Sequence, residues 1–288
     1  MHKAYNIPFL NYKTHCDVYG DLKHNIPLII LHGGPGGCSQ RYEPFIDLEN
    51  DGFAVILYDQ LGSGYSKVSG EHYELWKTET FMDELENLIK FFNIKEYYLM
   101  GHSWGGMLAL SFITLRKHEG LKKLILYSTL PSTKMWNDEH LKMIENYPIK
   151  EKELLIRNDQ SNKRLYKKAL NRFYNDHVKR KITDKSYIFK RKKFPKLFKQ
   201  VYNYMWGPSE LFGTGTLINY NVEDKLFLVD VNTLILSGEL DESTQNINKF
   251  MEEKISNSKW VCFEGCHHSS YVERYDLVRK VVVDFLKK

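Results

Sequence analysis

The sequence predicts an α/β protein built on a mostly parallel, doubly wound sheet, with a helical segment inserted late in the chain. Two observations carry this. Short, continuous apolar runs alternate with amphipathic helical stripes, the pattern of a parallel sheet covered on both faces. From Ser132 to about Tyr220 the alternation stops, the composition turns helical and highly charged, and then the alternation resumes. The expected organisation is a core formed by 1–131 and 221–288, with a helical cap over 132–220. A chain of 288 residues is long enough for one large domain or a core with one insertion.

Taken in order, Ala4 to Tyr19 alternates loosely through Val, Ile, Tyr and Phe and reads as an antiparallel hairpin at a sheet edge. Pro27-Leu28-Ile29-Ile30-Leu31 is a buried strand, and it ends in His32-Gly33-Gly34-Pro35-Gly36-Gly37. So many glycines are costly unless the backbone turns sharply or approaches something closely. No Gly-Lys-Ser/Thr follows, so the loop does not fit a P-loop. Ala54 to Tyr58 is the next strand and runs into Asp59-Gln60-Leu61-Gly62-Ser63-Gly64-Tyr65-Ser66, a turn stabilised by its own polar side chains. Thr80 to Phe92 carries an apolar stripe at helical spacing, with Glu86 and Lys90 as an i,i+4 pair on the polar side.

Tyr97 to Met100 is the central strand. It stops at Gly101-His102-Ser103-Trp104-Gly105-Gly106, and an almost wholly apolar helix follows. This is G-x-S-x-G between strand and helix, the nucleophile elbow of an α/β-hydrolase. The turn is too tight for side chains at the flanking positions, and it pushes the serine oxygen out above the sheet. The helix N-terminus beyond it, together with the glycine loop after the earlier strand, can supply backbone N–H groups to an oxyanion. Leu124 to Tyr127 and Thr233 to Leu236 are further strands. The second ends in Gly238-Glu239-Leu240-Asp241-Glu242. Lys259 to Phe263 is the last strand, followed by Glu264-Gly265-Cys266-His267-His268, and Val278, Val281, Val282, Phe285 and Leu286 mark a closing helix.

A serine, an acid and a histidine therefore stand after successive strands, in the order Ser, Asp, His. A serine hydroxyl needs a base to accept its proton, and the base needs a carboxylate to fix its tautomer. By position alone the acid is Glu239, Asp241 or Glu242, and the base is His267 or His268, the other histidine being a surface bystander.

The composition narrows the function classes. A net charge of +5 implies at most weak steering of anionic partners. The basic stretch from Lys179 to Lys199 lacks the readout motifs of nucleic-acid modules, so a solvated face is expected and no nucleic acid partner. No apolar run is long enough to span a membrane, and Met1 to Pro8 has no apolar h-region, so a cytoplasmic protein is expected. Four scattered cysteines read as reduced thiols. Cys262, Cys266 and the histidines beside them have no second ligand pair at suitable spacing, so no metal and no cofactor is expected.

Over nearly its whole length the chain resembles the proline iminopeptidase family of serine aminopeptidases, which includes the tricorn-interacting aminopeptidases. The residues that carry the resemblance are His32-Gly33-Gly34-Pro35-Gly36, Asp59-Gln60-x-Gly62-x-Gly64-x-Ser66 and Gly101-x-Ser103-x-Gly105-Gly106. Gly207-Pro208-Ser209-Glu210 with Thr214-Gly215-Thr216, and Gly238-Glu239-x-Asp241-Glu242, complete the set. The resemblance implies Ser103 as nucleophile, Asp241 as acid and His268 as base. It implies Gly34 and Trp104 as oxyanion-hole donors, and Glu210 and Glu242 as the acids that hold a substrate's free α-amino group. The implied partners are short peptides with a free N-terminus, losing proline or another apolar residue; an esterase, lactonase or amino-acid amidase on the same fold is the alternative, and a vestigial binding protein the remotest reading. Trp104, following the serine, is expected to narrow the pocket edge.

Overall fold

A computed structural model describes residues 1–178 and 195–288. Most of the basic stretch singled out above, residues 179–194, lies outside the described residues. The strands are β1 (His2–Phe9), β2 (Tyr12–Tyr19), β3 (Pro27–Leu31), β4 (Ala54–Tyr58), β5 (Tyr97–His102), β6 (Leu121–Tyr127), β7 (Asn232–Gly238) and β8 (Ser258–Phe263). They form one sheet in the order β1-β2-β4-β3-β5-β6-β7-β8. The β1–β2 hairpin is antiparallel and occupies the edge, β2 pairs antiparallel with β4, and every pair beyond is parallel.

The apolar runs are continuous because both faces of the sheet are covered, and successive residues serve opposite faces. Ile29, Leu31, Ile56 and Leu99 pack on one side. They meet α1 (Thr78–Phe91), α2 (Trp104–Leu115) and α7 (Gln245–Lys254) through Phe81, Leu85, Leu108 and Met251. Leu28, Ile30, Val55 and Met100 pack on the other, against Tyr42 and Phe45 and against Val278, Val282 and Leu286 of α9 (Tyr275–Lys287). Glu86, expected to pair with Lys90, lies 3.6 Å from Arg116 Nε instead.

Between β6 and β7 the chain forms α3 (Thr133–Met143), α4 (Ile149–Ile156), α5 (Lys163–Phe173) and α6 (Lys199–Met205). Ile144, Leu155, Tyr166, Phe173 and Leu211 make a small core of their own here. The segment before α6 docks on the glycine loop after β3: Phe198 N–H donates to Gly36 O at 2.8 Å. Gly36 has φ +79°, and a Cβ there would stand 2.8 Å from Phe198 O, so only glycine allows this approach. A short helix, α8 (Ser270–Glu273), precedes α9.

The chain runs from β3 outward to β4 and then returns to start β5 on the other side of β3. The strand order thus reverses between β3 and β5, the crevice where open α/β sheets place ligands. The glycine loop and the elbow are the two lips of that crevice.

Candidate active site

Ser103 stands between β5 and α2 with φ +56° and ψ −123°, a conformation few non-glycine residues adopt. Its surroundings enforce it. A Cβ on Gly101 would lie 2.2 Å from Gly105 O, and one on Gly105 would lie 2.1 Å from Leu31 O. Ser103 N–H donates to Tyr127 O at 2.9 Å, and Thr129 Oγ1 donates to Ser103 O at 2.8 Å. The elbow is thereby fastened to the end of β6.

The loops after β7 and β8 bring one acid and one imidazole together. His268 Nδ1 lies 2.8 Å from Asp241 Oδ1, and both side chains are buried. With Nδ1 engaged there, Nε2 is the ring nitrogen left for Ser103, which lines the same cavity. Burial alone would push the His268 pKa down. The charges of Asp241, Glu242 and Glu210 and the bond to Asp241 outweigh it and hold the pKa at about 9. Burial likewise would raise Asp241, but the His268 charge and the hydrogen bonds from His268 and from Ser243 N–H keep it below the ordinary carboxylate value. Of the other acids, Glu239 is exposed and accepts from Gly265 N–H at 2.8 Å.

His267 corrects the expectation of a surface bystander. It is buried, with Nδ1 2.8 Å from Glu273 Oε1, while its backbone N–H donates to Glu273 Oε2 at 2.7 Å. A second buried imidazole–carboxylate pair thus anchors the loop that carries His268.

The glycine loop is held by Gln60, just after β4, through its backbone and its side chain. Gln60 N–H donates to His32 Nε2 at 3.0 Å, so the ring proton sits on Nδ1, which donates to Gly33 O at 2.8 Å. Gln60 Nε2 donates to His32 O at 2.9 Å. Trp104, expected at the pocket edge, is instead buried beneath the elbow. Its indole N–H donates to Gln60 Oε1 at 2.8 Å and its ring packs edge-on against Phe81. A buried indole N–H needs an acceptor, and Gln60 lies on the inward side. Gly34 lines the cavity with Ser103, and Trp104 opens α2 at its N-terminus.

A further chain of bonds crosses the site. Gly33 N–H donates to the Tyr42 hydroxyl at 3.0 Å, that hydroxyl donates to His102 Nδ1 at 3.0 Å, and His102 Nε2–H donates to His268 O at 2.9 Å. Burial pushes the His102 pKa down to about 3, so the ring stays neutral and keeps this direction. The glycine loop, the elbow and the loop after β8 are thereby tied by one relay. Sequence reasoning missed Tyr42 and His102, because only the fold brings them together.

Glu210 and Glu242 converge on His268. Glu242 is fully buried, neither of its oxygens has a hydrogen-bond partner among the described residues, and Oε1 lies 3.5 Å from His268 Nδ1. Burial raises the pKa of both acids, and the Glu210 charge pushes Glu242 up further. The helix after Glu242 is capped by Thr244, whose Oγ1 accepts from Ile247 N–H at 3.4 Å, so Glu242 is no N-cap. One helix holds the backbone of both acids. On α3, Trp136 Nε1 donates to Glu210 O at 3.2 Å. Four residues on, His140 places Nδ1 2.6 Å from Leu211 O and Nε2 2.9 Å from Glu242 O. These two residues were also invisible to sequence reasoning, since the stretch from Ser132 read only as helical and highly charged.

Ser103, His268, Glu210 and Gly34 line one cavity of about 430 Å³, within the size range of small-molecule sites. The α/β hydrolase fold family matches residues 26–275. The proline iminopeptidase of Lactobacillus helveticus (strain DPC 4571) is 38% identical over 275 residues, which cover 94% of this chain and 92% of that protein. That of Clostridioides difficile (strain 630) is 35% identical over 286 residues, covering 97% and 96%. Among solved structures, VinJ aligns with a TM-score of 0.85 at 28% identity, covering 99% of this chain and 98% of its own. The proline iminopeptidase of Mycobacterium smegmatis aligns with a TM-score of 0.83 at 27% identity over the same shares. By sequence and by fold, over nearly its whole length, the chain belongs to the proline iminopeptidase family of α/β-hydrolases.

Proposed function

We propose that this hydrolase is a serine aminopeptidase that releases an N-terminal proline, or another apolar residue, from short peptides through an acyl-enzyme. The observation that carries the reading is the carboxylate pair beside His268, with Glu242 fully buried and Glu210 half-buried on the cavity wall. A buried carboxylate such as Glu242, whose oxygens have no hydrogen-bond partner among the described residues, is expensive unless a cation joins it, and a substrate's α-ammonium is such a cation.

In this reading Ser103 Oγ attacks the carbonyl carbon of the first residue while His268 Nε2 takes its proton. The oxyanion is met by the backbone N–H groups of Gly34 and Trp104. The C–N bond breaks as His268 returns the proton to the leaving amine, and water then hydrolyses the ester on Ser103 by the same steps. Asp241 remains ionised throughout. The segment 132–220 serves as the cap that limits the site to short peptides, with Val178 and Leu197 on the cavity wall supporting that role. A cytoplasmic setting fits the four free cysteines, three of them buried.

A panel of aminoacyl arylamides tests the reading, combined with labelling by an active-site phosphonate. The expected result is fastest turnover of the prolyl compound and phosphonate attached at Ser103. Simple acyl esters cleaved far faster than every aminoacyl amide would overturn it.

A further inference from the structure

The lining of the active-site cavity has a charge asymmetry that the roles above do not use. Glu210 contributes a carboxylate, and Glu242 and Asp241 stand behind His268. Among the described lining residues, Arg41 is the one side chain with a permanent positive charge. It is exposed, on the wall formed by the stretch after the glycine loop. Its backbone is fixed from both sides. Ser39 N–H donates to Asp59 Oδ1 at 2.8 Å, Gln40 Nε2 donates to Asp59 Oδ2 at 3.2 Å, and the next residue is Tyr42, bonded to Gly33. Tyr42 and Tyr271, stacked with ring centroids 5.6 Å apart, line the same wall.

The dimensions limit what fits. A sphere of 430 Å³ is about 9 Å across, and an extended chain advances about 3.5 Å per residue. With the α-ammonium held by the two glutamates and the scissile carbonyl at Ser103, the C-terminal carboxylate of a dipeptide lies about one residue beyond, and that of a tripeptide about two. The dipeptide's carboxylate stays inside that span, and the tripeptide's reaches its far edge. A guanidinium recognises a carboxylate through two parallel hydrogen bonds, which an uncharged amide cannot replace.

We propose that Arg41 binds the free C-terminal carboxylate of the substrate, making zwitterionic dipeptides and tripeptides the preferred substrate class. This rests on the aminopeptidase reading of the site. It adds a second charge contact, at the leaving-group end, to the one made by the amine.

The test compares kcat/KM for a prolyl dipeptide with a free carboxylate and for the same dipeptide as its C-terminal amide. A prolyl arylamide, which has no carboxylate, reports the aminopeptidase reading separately. The wild-type protein is expected to favour the free acid by about tenfold or more. In R41M that ratio falls to about one, and R41K restores part of it. A wild-type ratio near one, or a ratio unchanged in folded R41M, overturns the proposal while arylamide turnover leaves the aminopeptidase reading standing. Failure to cleave the arylamide and both dipeptides overturns both. The wild-type comparison needs no variant, so a misfolded R41M does not shield the idea.

Discussion

His267 and His268 are neighbours in the chain with separate carboxylate partners, and their substitutions should separate chemistry from stability. Removing the His268 ring leaves Ser103 without a base, so His268→Ala should lower kcat by about four orders of magnitude. His267→Ala strips the buried Glu273 of its imidazole and should cost about 3 kcal/mol of stability, seen as a lower thermal midpoint, with a far smaller loss of kcat. Equal kinetic losses in the two variants would contradict the assignment. The pH dependence follows from the charges around His268. The base must be neutral to act, so kcat/KM should fall as pH drops through the imidazole's pKa of about 9. An occupied clamp adds a positive charge among the same carboxylates, which lowers that pKa, so the acid limb of kcat should lie at lower pH than that of kcat/KM. Glu242→Gln removes one charge that raises the pKa and should shift the kcat/KM limb to lower pH. A limb that stays in place would show that Glu242 does not act on His268.

At the scale of elements, α3 links the inserted segment to the core. Trp136 and His140 reach the backbone carbonyls of Glu210, Leu211 and Glu242, two stretches that meet only in the fold. His140→Phe keeps the ring that packs against Trp136 and Phe173 but deletes both nitrogens. It should raise KM for a prolyl arylamide about tenfold with little change in kcat, because the carboxylates lose their spacing while the triad stays intact. A fall in kcat with KM unchanged would count against that role. The elements themselves were legible to different degrees. The central strands were plain in the sequence, because strands buried on both faces must be apolar throughout. The helix before β5 was expected over Thr80 to Phe92 and spans Thr78–Phe91, its start unmarked because Lys77 makes no side-chain cap. The helices between β6 and β7 could be read only as a charged helical stretch, since each buries just a few residues, α4 and α5 in a small core of their own and α6 against the main one.

At the scale of the molecule, the site is assembled from five stretches between Gly33 and His268. What the sequence revealed of it was whatever the backbone dictates. The elbow around Ser103 and the loop at Gly33 to Gly37 need glycine for steric reasons that act locally. The choice of Asp241 over its acidic neighbours, the pairing of His267 and the inward turn of Trp104 depend on contacts made by distant segments. No local pattern encodes them. Glu210 shows the same limit, as a loop residue until α3 and His268 are placed around it. In the proposed reading the whole arrangement is a nucleophile that serves only substrates carrying a free amine. The direct measurement is kcat/KM for a prolyl arylamide against its N-acetylated form, in the wild-type protein and in Glu210→Gln. Acetylation removes the ammonium, and the predicted result is a loss of at least about a hundredfold in the wild type, with a smaller ratio and a raised KM for the free amine in Glu210→Gln. Equal turnover of the free and acetylated compounds by the wild-type protein would contradict the account.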